Sequence, residues 1–325
     1  MNSRLRTNWQ LGRRPFLCGL WMMLVLTATA GAQQASAPEQ ANPQGQANAP
    51  QQAVPPGAKV IQSKAEYDAY TAASKIEDPT ARAEAMEAFA QQYPKSVAVT
   101  DALEEALSAW QSAGDSVKVL EVAKELLATD AGNVRALAIV VALDRVSAAQ
   151  GDSTALDELC LDSTGGMRLI PMWQKPARMP DAEFAQLRRQ MEVIFDGAAG
   201  YCALRQRDYS QARDWLTRVF QVNPTDLENV YDLAIADLEM TPLDANGFWY
   251  CAKAVQLAKN TTVVDATGGV ASYCEHMYAS YHGGNDGWDA IVSTSASESA
   301  LPADFAKRIK VAPVPPPLPV AGQQK

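Results

Sequence analysis

Apolar residues recur at spacings of three and four along most of residues 58–300, which places them on one face of a helix rather than on alternate sides of a strand. The clearest stretch, residues 181–205, carries Phe184, Leu187, Met191, Ile194, Ala198, Tyr201 and Leu204 on one stripe. A second helix follows Arg207-Asp208-Tyr209 and ends at Asn223-Pro224. The pattern predicts an all-α fold.

Short polar turns separate the predicted helices into pairs. The clearest turns are Ala113-Gly114-Asp115, Gly151-Asp152 and Arg207-Asp208-Tyr209. Further helices are predicted over residues 65–75, 80–92, 263–281 and 288–295, and a pair over 227–260 with an expanded turn from Thr241 to Gly247.

One pair resembles a known repeat through Gly200, Tyr209, Ala212, Leu216 and Pro224. Small residues at the closest helix contact, an aromatic residue at the turn and a proline past the second helix are typical of the tetratricopeptide repeat (TPR). The resemblance implies a right-handed superhelix of helix–turn–helix repeats with a concave groove. The group of exported bacterial repeat proteins that the whole chain also resembles is uncharacterised and implies no activity.

The repeat frame predicts units that start at residues 100, 134, 193 and 227. Several positions depart from the family pattern: Ala131 stands where proline is usual, and Val119 stands where alanine is usual. The units at 134 and 193 are also too far apart, and we expect a long loop from Gly165-Gly166 to Pro180 to account for the excess. A non-repetitive helical bundle remains the alternative architecture.

The two ends of the chain differ from its middle. Residues 1–32 begin with basic residues, continue with a short apolar run and end with small residues, which is typical of a cleaved signal peptide. The apolar run is too short for a membrane span. Arg13-Arg14-Pro15-Phe16-Leu17 also resembles the twin-arginine motif, so the general secretory and twin-arginine routes both stay open. The alternative is an uncleaved anchor. The prediction is an exported protein of the periplasm or the extracellular space.

Low-complexity segments flank the predicted repeat domain of residues 58–300. Residues 33–57 are mostly Gln, Ala and Pro, which predicts a disordered linker. Residues 301–325 predict a proline-rich disordered tail, with a ligand for an aromatic groove as its functional alternative.

Charge and motifs exclude several function classes. The net charge is −9, which disfavours nucleic acid as a partner and favours, if anything, a basic protein or peptide. The usual nucleotide-binding, zinc-protease and hydrolase motifs are absent from the sequence. We therefore expect no catalysis and no cofactor. A metal or nucleophilic site built on Cys274, His276, His282 and Asp286 is a weaker alternative to a helix end.

Four cysteines, Cys160, Cys202, Cys251 and Cys274, follow the predicted signal peptide, and they allow three pairings. Cys251 and Cys274 lie on successive predicted helices, which favours a disulfide between them. Cys202 is alternatively a small buried residue.

Candidate partner-binding residues come from the first helix of each unit, because these helices line the groove in the resemblance. They are Arg188, Arg205 and Gln206 in the best-defined unit, and Asn229 and Asp232 in the next. Trp173 is added as an exposed anchor, since no periodic pattern buries it.

Three functions follow. The first is a non-enzymatic scaffold that binds protein segments in a concave groove. The second is an adaptor in cell-envelope assembly or the cell wall, and the third is a helical-repeat hydrolase. The sequence leaves the oligomeric state open.

Overall fold

The computed structural model describes residues 61, 63–176, 179–259 and 264–313, except for the side chains of residues 264–267. The described residues form helices and turns without a β-strand, which confirms the prediction that the fold is all-α. The predicted signal peptide, the predicted linker and residues 314–325 of the predicted tail lie outside the described residues.

The described residues form two compact units, which meet in sequence between Ala131 and Gly132. The smaller unit contains α1 (Lys64–Ser74), α2 (Pro79–Gln92), α3 (Val99–Ala113) and α4 (Ser116–Thr129). The larger unit contains α5 (Val134–Ala149), α6 (Ser153–Leu169), α7 (Asp181–Arg205), α8 (Tyr209–Val222), α9 (Leu227–Glu239), α10 (Gly247–Lys259), α11 (Val264–His282), α12 (Trp288–Ser297) and α13 (Phe305–Arg308).

Short polar side chains set where several helices begin. Asp115, Asp152, Asp208 and Asp226 each accept a hydrogen bond from a backbone N–H two or three residues further on. These N-caps satisfy donors that the first helical turn leaves unpaired. At the other end of α3, Gly114 has a φ of 77°, the left-handed conformation that glycine adopts most easily. These residues account for the predicted turns.

In the smaller unit each helix packs on the next one in sequence. Its core contains Met86, Phe89, Leu103, Leu107, Val122 and Leu126, all nearly inaccessible to solvent. Two polar contacts join helices at the margin of this core: the Tyr70 hydroxyl donates to Glu105 at 2.9 Å, and Trp110 Nε1 donates to Glu87 at 3.2 Å.

In the larger unit the helices from α5 to α11 each pack on the next one in sequence, whereas α12 packs on α10. The helix α7 also contacts α5 and α9 directly. The core between α8 and α13 contains Leu216, Leu233, Phe248, Trp249, Tyr278, Trp288 and Phe305. Lys253 of α10 is buried, and its Nζ donates to the carbonyl oxygens of Ser295 and Glu298 at 3.1 and 2.9 Å. This lysine satisfies carbonyls at the end of α12 that have no partner within the helix.

The residues behind the repeat resemblance occupy the α7–α8 hairpin. A Cβ added at Gly200 would lie 2.5 Å from Leu216 Cγ, so the missing side chain permits the close approach of the two helices. Ala212 is fully buried, Tyr209 begins α8, and Pro224 lies in the turn before α9.

Two predictions about irregular segments were wrong. The helix α6 continues through Gly165-Gly166, and a 3-10 turn follows over Ile170–Met172, so the irregular segment is shorter than expected. The tail does not begin at residue 301, because α13 follows and Phe305 is 5% exposed in the core. The Ala312 N–H also donates to the Tyr281 carbonyl at 2.7 Å, which holds the chain against the end of α11.

The two adjacent glycines of α6 differ in their surroundings, and this predicts opposite effects of one substitution. A Cβ at Gly166 would lie 2.2 Å from the Phe195 ring, whereas a Cβ at Gly165 would meet nothing within 4 Å. We expect Gly166→Ala to lower the free energy of unfolding by about 1–3 kcal/mol through overpacking. Gly165→Ala should raise it by about 0.5–1 kcal/mol through helix propensity. Urea denaturation measures both, and equal effects would contradict the packing described.

Candidate functional site

A polar cluster lies where α5, α7 and α9 come together in the larger unit. We call it the Arg145 cluster, and it consists of Arg145, Tyr201, Glu228, Asn229 and Asp232. The repeat register predicts Asn229 and Asp232 as partner-binding residues but not Arg145, whose hydrogen-bond partners are more than 80 positions away in the chain. An arginine near the end of a mostly apolar helix carries no local signal of such contacts.

The guanidinium of Arg145 binds three side chains of α9. Its Nη2 lies 2.7 Å from Asp232 Oδ2, its Nη1 donates to Asn229 Oδ1 at 3.0 Å, and its Nε lies 3.7 Å from Glu228 Oε2. The guanidinium also lies over the ring of Tyr201, 5.2 Å from its centroid. One residue of α5 therefore contacts both α7 and α9, through hydrogen bonds, charge and a cation–π contact.

A glycine in α7 leaves space for these contacts. A Cβ at Gly197 would lie 2.7 Å from Asn229 Oδ1 and 3.3 Å from Arg145 Nη1. Asn229 is held from its other side as well, because its Nδ2 donates to Asp226 at 2.8 Å. The cluster therefore depends on a glycine without a side chain and on an amide that is hydrogen-bonded through both its oxygen and its nitrogen.

The cluster is largely buried, and this determines its electrostatics. The side chains of Arg145 and Asp232 are 12% and 14% exposed, and that of Glu228 is 41% exposed. Burial raises the pKa of Asp232 to about 6, although Arg145 acts in the opposite direction. Burial also raises the pKa of Glu228. Two carboxylates share one guanidinium, so the site has an excess of acid.

The acidic and aromatic character continues from α9 to α11. The rings of Tyr231 and Tyr273 meet edge to face at 5.8 Å between centroids, and the Tyr273 hydroxyl donates to Glu239 at 3.2 Å. The sequences of α9 and α11 contain neither lysine nor arginine. We call the Arg145 cluster together with Tyr231, Glu239 and Tyr273 the odd-helix face.

The remaining partner-binding candidates lie on or near α7. Arg188 Nε lies 3.3 Å from Glu192 Oε1, one helical turn away, while Arg205 and Gln206 are exposed at the end of the helix. Trp173 is not the exposed anchor that was expected: it is half-buried and packs edge to face on Phe184 at 5.0 Å. Trp173 thus holds this loop against α7. The spacing of apolar residues in the sequence does not predict this contact.

Both cysteine pairs of the larger unit form disulfides. Cys251 is bonded to Cys274, the favoured pairing, and joins α10 to α11. Cys160 is bonded to Cys202 and joins α6 to α7, so Cys202 is not merely a small buried residue. The second bridge escaped prediction because the predicted loop at Gly165 separated its two helices.

The disulfide at Cys274 bears on the metal or nucleophilic site considered for this region. A bonded cysteine is not available as a nucleophile or a metal ligand, and His282 at the end of α11 stacks on Tyr278 with 5.0 Å between ring centroids. Across the described ranges, no three His, Cys, Asp or Glu side chains come together in a way that could hold a metal ion. Within those same ranges, no helix is both long and apolar enough to cross a membrane.

Comparison with protein-family models and with curated proteins finds no match to this chain. A function is therefore inferred from the chain's own residues.

Removing the shared guanidinium should expose its role. Arg145→Met leaves Asp232 and Glu228 without their counter-charge, and we expect it to lower the free energy of unfolding by about 3 kcal/mol at neutral pH. The loss should be smaller at pH 5 than at pH 8, because the pKa of Asp232 in the folded variant rises further and the protonated carboxyl needs no partner. Urea denaturation at both pH values measures this.

The matched control is Arg189→Met, which changes an exposed arginine of α7 and should cost less than about 0.5 kcal/mol. Equal losses in the two variants would contradict the role assigned to Arg145.

The disulfide between Cys160 and Cys202 should stabilise the larger unit substantially. It closes a sequence separation of 42 residues. Replacing both cysteines by serine should lower the free energy of unfolding by about 4 kcal/mol, since the unfolded chain regains the freedom that the bridge removes. Under reducing conditions the difference from the unmodified chain should nearly vanish. Free thiols at these positions in the protein purified from its host, detected by alkylation and mass spectrometry, would refute the pairing.

Proposed function

We propose that this chain is an exported, non-catalytic scaffold of tetratricopeptide type that binds a segment of another protein along the odd-helix face. Its α5–α11 hairpins would form part of a right-handed superhelix whose first helices line a concave groove. The occupant would be an extended peptide or a partner helix.

One observation carries this proposal: α7 packs on both α5 and α9, and Arg145 links α5 to α9. Beside this buried junction, Tyr231, Glu239 and Tyr273 are at least partly exposed. Hairpins that stack through their first helices produce a continuous surface of this kind, whereas the second helices pack on the other side. A surface with tyrosines and partly exposed carboxylates can form hydrogen bonds and ion pairs with a partner chain.

Charge favours a basic partner. The whole chain has a net charge of −9. In α9, which has no lysine or arginine, the carboxylates of Glu228 and Glu239 reach the surface. A cationic segment would be attracted to such a surface, and the attraction would fall as salt screens it.

Two disulfides in the larger unit support export. Disulfides persist in oxidising compartments and are rare in a reducing cytosol. With the basic and apolar start of the sequence, they favour the periplasm or the extracellular space as the place where this scaffold acts.

Site-specific photo-crosslinking in the host tests the proposed surface. A crosslinking residue replaces Arg205 or Glu228 on the odd-helix side, or exposed Gln211 on α8 as the control. We expect the same crosslinked protein from positions 205 and 228 and none from position 211. With Glu239→Lys added, the yield should fall severalfold, because the charge of the face is reversed at one exposed position. Equal crosslinking from all three positions, or none from any, would reject the proposal.

A further inference from the structure

A buried carboxyl group lies at the end of α9, away from the Arg145 cluster. Asp237 is 2% exposed, and no donor among the described residues reaches its Oδ1. A buried ionised carboxylate without hydrogen bonds is very costly, whereas a neutral carboxyl group costs much less. The position therefore favours the protonated form of Asp237.

The turn between α9 and α10 closes directly over this residue. The Asp244 N–H donates to the carbonyl oxygen of Asp237 at 3.0 Å, and the Gly247 N–H donates to that of Asp244 at 3.1 Å. A Cβ at Gly247 would lie 2.9 Å from Asp237 Cβ and 2.7 Å from Leu238 Cγ. The start of α10 therefore packs closely against Asp237 and Leu238.

The charged groups around Asp237 oppose its ionisation more than they assist it. Asp244, in the turn, adds a like charge. Arg213 of α8 acts in the other direction, but its Nη1 lies 3.9 Å from Asp244 Oδ2 and is shared with that residue. On the α10 side the nearby titratable group is Tyr250, which is neutral at physiological pH, and α7 adds no charge that acts on Asp237. Burial, followed by Asp244, raises the pKa of Asp237 to about 7.

We propose that residues 237–247 form a proton-controlled joint: the α9–α10 turn stays closed over Asp237 while its carboxyl group is protonated, and opens more often once that proton is lost. Opening would hydrate the carboxylate and separate it from Asp244. This inference does not depend on the proposed binding function.

The sign of the effect follows from proton linkage. In the open turn the pKa of Asp237 returns to about 4, whereas in the closed turn it is about 7. Between these values the closed form binds more protons, so rising pH favours opening by about tenfold per pH unit. Below pH 4 and above pH 7 the opening equilibrium should not change with the state of this group.

Native-state hydrogen exchange of two amides tests the joint. The N–H groups of Asp244 and Gly247 become exchangeable when the turn opens, and their opening constants follow from rates corrected for intrinsic exchange. In the full chain we expect these constants to rise about tenfold per pH unit between pH 5 and 7 and then to level off. The Gly283 amide, bonded to the Ala279 carbonyl at the end of α11, serves as the internal reference.

Three variants separate the joint from general effects of pH. In Asp237→Asn the side chain cannot ionise, so the opening constants of the two reporter amides should not rise with pH. Asp244→Asn removes the repelling charge, so the opening constants should stop rising at a lower pH than in the unmodified chain. This variant tests the joint even if Asp237→Asn does not fold. Asp289→Asn, at an exposed position of α12, should behave as the unmodified chain. The proposal would be overturned if the opening constants did not rise with pH in the unmodified chain, or if they rose equally in Asp237→Asn. It would also be overturned if they levelled off at the same pH in Asp244→Asn as in the unmodified chain.

Discussion

The close approach of α7 to four neighbouring helices is the constraint on which the larger unit depends. Gly166 of α6 lies against Phe195, Gly197 leaves space for Arg145 and Asn229, and Gly200 lies against Leu216. The bond from Cys160 to Cys202 adds a covalent link near the same end of the helix. Each contact requires a small residue on one side, so this central helix fixes the positions of α5, α6, α8 and α9 together.

Local patterns predicted most of the helices. The bounds of α7 agree with residues 181–205, because apolar spacing, the preceding Pro180 and the following polar turn all act within the segment. The prediction of a loop at Gly165-Gly166 was wrong because a contact distant in the sequence decides the structure there. Glycine weakens an isolated helix, but here the missing side chain of Gly166 makes room for the Phe195 ring, and tertiary packing outweighs propensity. A sequence pattern contains no information on which distant ring will need that space.

The candidate site was predictable only in part, for a related reason. A repeat register placed Asn229 and Asp232 on the face of a first helix, which is a local inference. Arg145, which binds both, lies two hairpins earlier, and Asp237 differs from other acidic residues only through its burial and its neighbours. The periodic pattern of apolar residues therefore does not identify polar residues whose partners are distant in the sequence. In the proposed scaffold, one such contact ties together the helices that would present the binding face.

A double-mutant cycle between Arg145 and Asp232 tests most directly whether the Arg145 cluster joins α5 to α9. The cycle compares Arg145→Met, Asp232→Leu and the double variant by their free energies of unfolding at pH 7. The contacts described predict a coupling energy of about 1–3 kcal/mol, with the double variant more stable than Arg145→Met alone, because it no longer buries an unpaired carboxylate. Additive effects within about 0.3–0.5 kcal/mol would contradict the account, since the two residues would then act independently.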